Sequence, residues 1–240
     1  TTKCCKKINK FFKDMNWENE GYLLSKIKFR ENANIVNVFT KNYGKVSGIV
    51  YGGNSRKVRN YLQIGNKIFV IYNSKNENKV GYFKTELIKP ISAKFFNDKY
   101  RASAILSTTS LLNRLLPESQ SNIKIYESYE NFLNQINEDN WIILMIYWEL
   151  DLIKELGFGI ELNKNKFTNN TENELLNIKI DQIIYKVPFF LVKNKILQNY
   201  NNNLIKNSLI FTRNLLLNKF FLPNNINFPK QRILLENYFI

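Results

Sequence analysis

Cations and aromatic rings alternate through the first third of the chain. Lys26, Lys28 and Arg30 fall at every second position, and Lys41 and Lys45 flank Asn42-Tyr43-Gly44. Arg56, Lys57 and Arg59 follow the run Gly52-Gly53-Asn54-Ser55, and Lys67 opens an apolar stretch. A protein that holds a single nucleic-acid strand needs cations spaced along a groove and aromatic faces on which bases stack. These nine cations are therefore the nucleic-acid-binding candidates. Tyr43 and Tyr51 are the base-stacking candidates, with Tyr72 a third ring in the same region. Each tyrosine taken singly also fits a core or cross-strand position on a solvated sheet; the basic cluster as a whole favours binding.

Other chemistry finds little support. The chain has no His, which removes the commonest general base and metal ligand. Its two cysteines, Cys4 and Cys5, are adjacent, which suits neither a disulfide framework nor a structural zinc site and fits a reducing cytosol. Gly52-Gly53-Asn54-Ser55-Arg56 lacks the Gly-Lys-Ser/Thr of a phosphate-cradling P-loop. Glu138 and Asp139 precede a helix and read as caps. Glu149 and Asp151, two apart on a helix, point to different faces. No converging carboxylates stand where a metal-assisted nuclease would need them. The expectation is a protein that is not an enzyme, with no cofactor and no metal.

Charge sharpens this reading. The 240 residues carry a formal charge of +15, which favours an anionic partner. Lys and Asn are abundant throughout, as an AT-rich genome would produce, so the distribution matters more than the total. Basic residues outnumber acidic ones 5 to 1 over 1–14, 13 to 5 over 15–90, and 17 to 14 over 91–240. Codon bias acts on the whole chain and does not account for that asymmetry.

The elements that must position these residues follow from periodicity. Strands are expected at Gly21–Ile27, Ala33–Thr40, Lys45–Tyr51, Ile68–Tyr72 and Val80–Ile88, with Asn42-Tyr43-Gly44 and 73–78 as turns. Along the third strand Val46, Gly48 and Val50 face one way, and Lys45, Ser47 and Tyr51 the other. Five short strands in so few residues suit a small closed barrel. Pro90 marks a boundary, after which helices are expected over 93–116, Ile123–Ile136, Trp141–Leu156, Asn202–Phe221 and Lys230–Tyr238. Asp139 or Asn140 caps the third, and Gly157 follows its end. Residues 163–190 are weakly patterned and read as irregular, with room for short strands. No stretch reaches the roughly 18 apolar residues that span a bilayer. The domains are thus a poorly ordered extension or short helix at 1–14, ahead of Met15, which reads as a start; a barrel domain at 15–90 that carries the nucleic-acid-binding candidates; and a helical domain at 91–240.

Several segments together resemble the bacterial RecO family. In the barrel these are Gly21-Tyr22-Leu23-Leu24-Ser25, Glu31, Val38-Phe39-Thr40, Tyr43-Gly44-Lys45, the Gly52–Arg56 loop, Leu62-Gln63 and Gly65, with Ile64 where Pro is usual. Further on come Trp148-Glu149-Leu150, Glu155-Leu156-Gly157-Phe158-Gly159, Phe211-Thr212-Arg213 and Lys230-Gln231-Arg232. Order and spacing, rather than any one piece, carry the likeness, which covers about residues 17–236. The resemblance implies an α+β multidomain chain, with an N-terminal OB-fold β-barrel followed by an all-α C-terminal domain. It implies binding of single- and double-stranded DNA, annealing of complementary strands, and recombinase loading, together with RecR, on DNA coated by single-strand-binding protein. Implied partners are therefore RecR, the single-strand-binding protein tail and, indirectly, the recombinase RecA, in the cytoplasm at the nucleoid, with no membrane and no small-molecule substrate. Some members carry a cysteine zinc site. Asn165 stands near where its first Cys would fall, and no zinc is expected here.

The residues also admit three rival readings: an RNA-binding OB-fold protein of translation or ribosome assembly, since basic barrels serve both nucleic acids; a nuclease or transferase; and a pure adaptor.

Overall fold

The computed structural model describes residues 15–74, 80–160, 162 and 174–239. The expectations for residues 1–14 and for Asn165 lie outside them. The chain divides into two compact units, 1–123 and 124–240.

In the first unit five strands close into a barrel of order β1-β2-β3-β5-β4. The strands are β1 (Met15–Arg30), β2 (Ala33–Thr40), β3 (Gly44–Tyr51), β4 (Lys67–Ser74) and β5 (Gly81–Lys89). Period-two burial drives this. Val46, Gly48 and Val50 point inward along β3, while Lys45, Ser47, Ile49 and Tyr51 point outward. The buried set Leu23, Val36, Val38, Val50, Leu62, Ile68 and Val70 forms the core, each side chain contributing about 1.5–3 kcal/mol by leaving water.

The strand β1 is longer than expected because it serves two neighbours. Its first half pairs with β4 and its second with β2, with register shifts at Leu23/Ser25 and Lys28/Arg30 that let it bend. Its early residues, Asn16-Trp17-Glu18-Asn19-Glu20, alternate in burial but carry mostly polar side chains, which hides the strand from an apolar pattern. Closure comes from a short parallel pairing of β3 with β5, Gly48↔Gly81 and Ile49↔Tyr82. Both glycines are needed there. A Cβ on Gly48 would sit 2.4 Å from the Phe83 ring, and one on Gly81 2.5 Å from the Tyr72 ring.

Between β3 and β4 lies the short helix α1 (Arg56–Tyr61). The expected helix over 93–116 is two helices, α2 (Ile91–Lys94) and α3 (Lys99–Leu115), broken where the Asp98 side chain accepts hydrogen bonds from the Tyr100 and Arg101 amides and starts α3. The end of α3 and the segment after it lie on the barrel. Asn37 Nδ2 and Lys45 Nζ both donate to Asn113, and the Ser47 amide donates to Glu118 at 2.6 Å.

The second unit contains α4 (Ile123–Asn134), α5 (Trp141–Glu155), α6 (Phe189–Val192), α7 (Asn202–Leu216) and α8 (Lys230–Asn237). Asn140 takes the cap position of α5 without a side-chain hydrogen bond, and Gly157 at φ +97° ends it. A π-helical turn, Leu217–Phe221, extends α7. The unit is not all-α. Leu175–Ile180 (β6) and Ile183–Pro188 (β7) form an antiparallel hairpin, with Asp181 at φ +53° in its turn. Its alternation places Leu176, Ile178, Tyr185 and Val187 inside, while Leu175, Ile183 and Ile184 stay exposed. Apolar residues on both faces blur the period that would announce a strand.

Candidate nucleic-acid interface

Six of the nine candidate cations gather at one end of the barrel. Along the last part of β1, Lys26 pairs with Val36 and Lys28 with Asn34, which puts both lysines on one face; Arg30 follows a register shift and lies over the Phe29 ring at 5.2 Å. The other three sit on α1, which is tied to this end in two ways. The Gly52–Ser55 loop is clamped to the β1–β2 turn: the Gly52 amide donates to Asn32 O at 2.7 Å, Asn54 Nδ2 to Glu31 O at 2.6 Å, and Asn34 Nδ2 to Asn54 Oδ1 at 3.1 Å. Tyr61, at the end of α1, donates its hydroxyl to Thr85 O of β5 at 2.7 Å. Ser55 caps α1, leaving Arg56, Lys57 and Arg59 exposed. The glycine loop is thus a clasp that aims a basic helix.

Lys26 is the partly buried member. Its ammonium donates to Leu62 O at 2.8 Å, and burial, then the nearby Arg59 charge, lowers its pKa. A phosphate here would relieve that mutual repulsion. Lys28, Arg30, Arg56, Lys57 and Arg59 form no ion pair among the described residues, so their charge is available to an anion.

The remaining three cations lie elsewhere. Lys41 and Lys45 flank the β2–β3 turn. Lys45 donates to Asn113 O at 2.9 Å; burial lowers its pKa, with Glu118 opposing and Arg114 adding to the shift. Lys67 is 3.0 Å from Glu20 and lies over the Tyr22 ring.

The tyrosines separate too. Tyr43 and Tyr51 stand at opposite ends of β3, and both are exposed. Tyr72 is buried in the core, its hydroxyl accepting from the Gly81 amide, so no base reaches it. Trp17, which the sequence pattern does not single out, stacks on Tyr43 at 4.1 Å and 14° and on Tyr72 at 4.9 Å. Its one signal is a tryptophan among polar residues, at a position whose alternation only the paired strand reveals.

In the second unit a wholly buried ion pair links distant segments. Arg232 donates to both Glu149 oxygens, at 2.5 and 3.0 Å, and to Leu209 O; Thr212 donates to the same carboxylate at 2.5 Å. Beside it Arg213 holds Glu236 at 2.8 Å. A carboxylate sealed from water in this way organises packing and has no substrate to act on. Asp151 lies on the exposed side of the same helix. Among the described residues no group of three or more His, Cys, Asp or Glu converges as metal ligands, and no helix is long and apolar enough to cross a membrane.

Two family models match the chain, recombination protein O N terminal over residues 15–91 and recombination protein O C terminal over 97–177. Curated relatives named DNA repair protein RecO include that of Wolbachia pipientis subsp. Culex pipiens, 32% identical across 91% of this chain and 97% of the relative. Those of Ehrlichia chaffeensis and Roseobacter denitrificans are 32% and 29% identical, each over 66% of this chain and about the same share of the relative.

Proposed function

The chain belongs to the recombination protein O family, and on that premise we propose that it is a mediator of DNA repair and homologous recombination whose barrel, an OB-fold, binds single- and double-stranded DNA. The observation that carries this reading is the gathering of Lys26, Lys28, Arg30, Arg56, Lys57 and Arg59 at one end of the barrel, five of them without an ion pair among the described residues. Cations so placed neutralise phosphates. Two complementary strands held there repel each other less, and they anneal without any bond being made or broken by the protein. With RecR, the protein then promotes loading of RecA on DNA coated by single-strand-binding protein. It works in the cytoplasm, at the nucleoid. Lys41, Lys45 and Lys67, elsewhere on the barrel, are further candidate phosphate contacts, and Tyr43 offers an exposed face backed by Trp17.

Fluorescence anisotropy with a labelled single strand across a salt series tests this. The wild-type affinity falls steeply with salt through counterion release, and Arg56→Ala/Lys57→Ala/Arg59→Ala lowers the affinity and flattens the log–log slope by about 2, at ~0.7 per lost contact on a single strand. A slope unchanged by the triple substitution refutes phosphate contact at α1. Tighter binding of structured RNA than of DNA at equal salt overturns the choice of nucleic acid.

A further inference from the structure

Register places four apolar side chains in one row across the outside of the barrel. Ile27 of β1 pairs with Ile35 of β2, Ile35 with Ile49 of β3, and Ile49 with Tyr82 of β5. Their strand neighbours Val36, Val50 and Phe83 are buried, so these four point outward. Tyr51 lies two residues beyond Ile49, on the same face and diagonal to Tyr82. Ile27 is 64% exposed, Tyr51 61% and Tyr82 38%. The other half of this face is covered: Asn37, Lys45 and Ser47 bond to Asn113 and Glu118. The row is the half left open, and it borders the basic end, where Arg30 ends β1 and the Gly52–Ser55 clasp leads directly from Tyr51 to Arg56.

We propose that this row is a base-contacting floor for single-stranded DNA, with Tyr51 and Tyr82 as the stacking residues at its β3–β5 side and Ile49, Ile35 and Ile27 as the apolar surface that continues from them across β3, β2 and β1. The inference rests on the DNA-binding reading and adds to it which bases are bound and by what. Charge selects the occupant. Arg30, Arg56 and Lys57 lie at the basic end that the row borders and suit a polyanion, whereas a second copy of a chain at +15 would bring like charge against like. Rings and isoleucines engage only unpaired bases, because a duplex hides the base faces. Charge and ring therefore play separate parts. The cations take any nucleic acid, and the row distinguishes one strand from two.

The test uses the full chain and three labelled probes of equal length: an oligothymidine, the same backbone with abasic sites throughout, and a duplex. Tyr51→Leu/Tyr82→Leu is expected to weaken oligothymidine binding about tenfold or more, leave abasic and duplex binding unchanged, and keep the salt slope, since no cation is lost. Tyr51→Phe/Tyr82→Phe keeps both rings and retains wild-type affinity. A leucine variant that binds all three probes as the wild type does overturns the inference and leaves the DNA-binding reading intact. Equal loss on oligothymidine and abasic probes overturns it as well. Light scattering that finds a wild-type dimer and a monomeric leucine variant of unchanged affinity assigns the row to self-association and overturns it. A wild type that binds none of the probes refutes the underlying reading along with it.

Discussion

Glu149 and Arg232 are withdrawn entirely from water, and their environment sets what each substitution does. Removing one partner leaves the other charged and buried, at a cost of about 3–5 kcal/mol. Arg232→Met and Glu149→Gln are therefore each expected to lower the urea midpoint of the helical signal strongly. Glu149→Leu/Arg232→Met together should recover most of the loss, and a double variant no better than either single would show that the pair is not a closed unit. The residues are visible in the sequence only as members of three segments, Trp148-Glu149-Leu150, Phe211-Thr212-Arg213 and Lys230-Gln231-Arg232. Spacing along the chain carries no sign that they meet, because an ion pair spanning 83 residues depends on how helices pack. The exposed lysines and arginines are legible for the opposite reason, since solvated charge leaves its mark in composition. Tyr43 and Tyr72 show the limit between these cases: the two tyrosines have the same side chain, and only the position of Trp17 between them separates the exposed ring from the buried one.

Among the elements, α3 and the β3–β5 junction depend on single side chains. At the start of α3, burial would raise the Asp98 pKa, but the side-chain hydrogen bond from Arg101, then the Arg101 amide and charge and the Tyr100 amide, lower it overall. A carboxylate whose pKa is depressed by folding contributes stability above its unfolded value, and that contribution is lost as pH falls through the lower folded value. The thermal midpoint of the wild type should therefore drop on acidification below about pH 4 more than that of Asp98→Asn, which keeps a capping oxygen but does not titrate. Asp98→Ala should cost about 1 kcal/mol at neutral pH. Equal acid sensitivity in wild type and Asp98→Asn would show that Asp98 is not the titrating cap. At the barrel junction, Gly48→Ala drives a methyl into the Phe83 ring and is expected to destabilise by about 1–3 kcal/mol, with Phe83→Leu in the same chain restoring part of it. A neutral Gly48→Ala in thermal melts would mean that β3 and β5 can move apart freely. The glycines are readable as barrel bends, and the strand alternation as a small barrel. What lies beyond reading is the pairing itself, since a parallel contact between strands separated by α1 and β4 has no local signature.

For the whole molecule, the distribution of charge and the distribution of core tell different stories. The basic excess sits in the barrel, whereas the helical unit is nearly balanced and pairs some of its charged residues, Lys219 with Asp181 and Arg213 with Glu236 among them. A salt series on the intact chain reads the first and denaturation of the helical signal reads the second. The triple substitution on α1 should change the former and leave the latter alone, and a shift in both would mean that α1 supports more than its own end of the barrel. The hairpin of β6 and β7 marks where the sequence signal is faint: short strands are admissible over 163–190, but apolar residues on both faces of the hairpin blur the alternation that would fix their bounds.

The seam between β3 and β5 also sets an order of events in time. Elsewhere around the barrel neighbouring strands are laced over most of their length, and here the join is two residue pairs long. Separation at this line breaks the fewest backbone hydrogen bonds, so it is the least costly excursion from the closed state and the most frequent. Such an opening frees Tyr82 and Ile49 from each other while β1 to β3 stay paired. The outer row would then part between its isoleucines and its last tyrosine, and a strand lying across it would feel the barrel breathe at that point before any other.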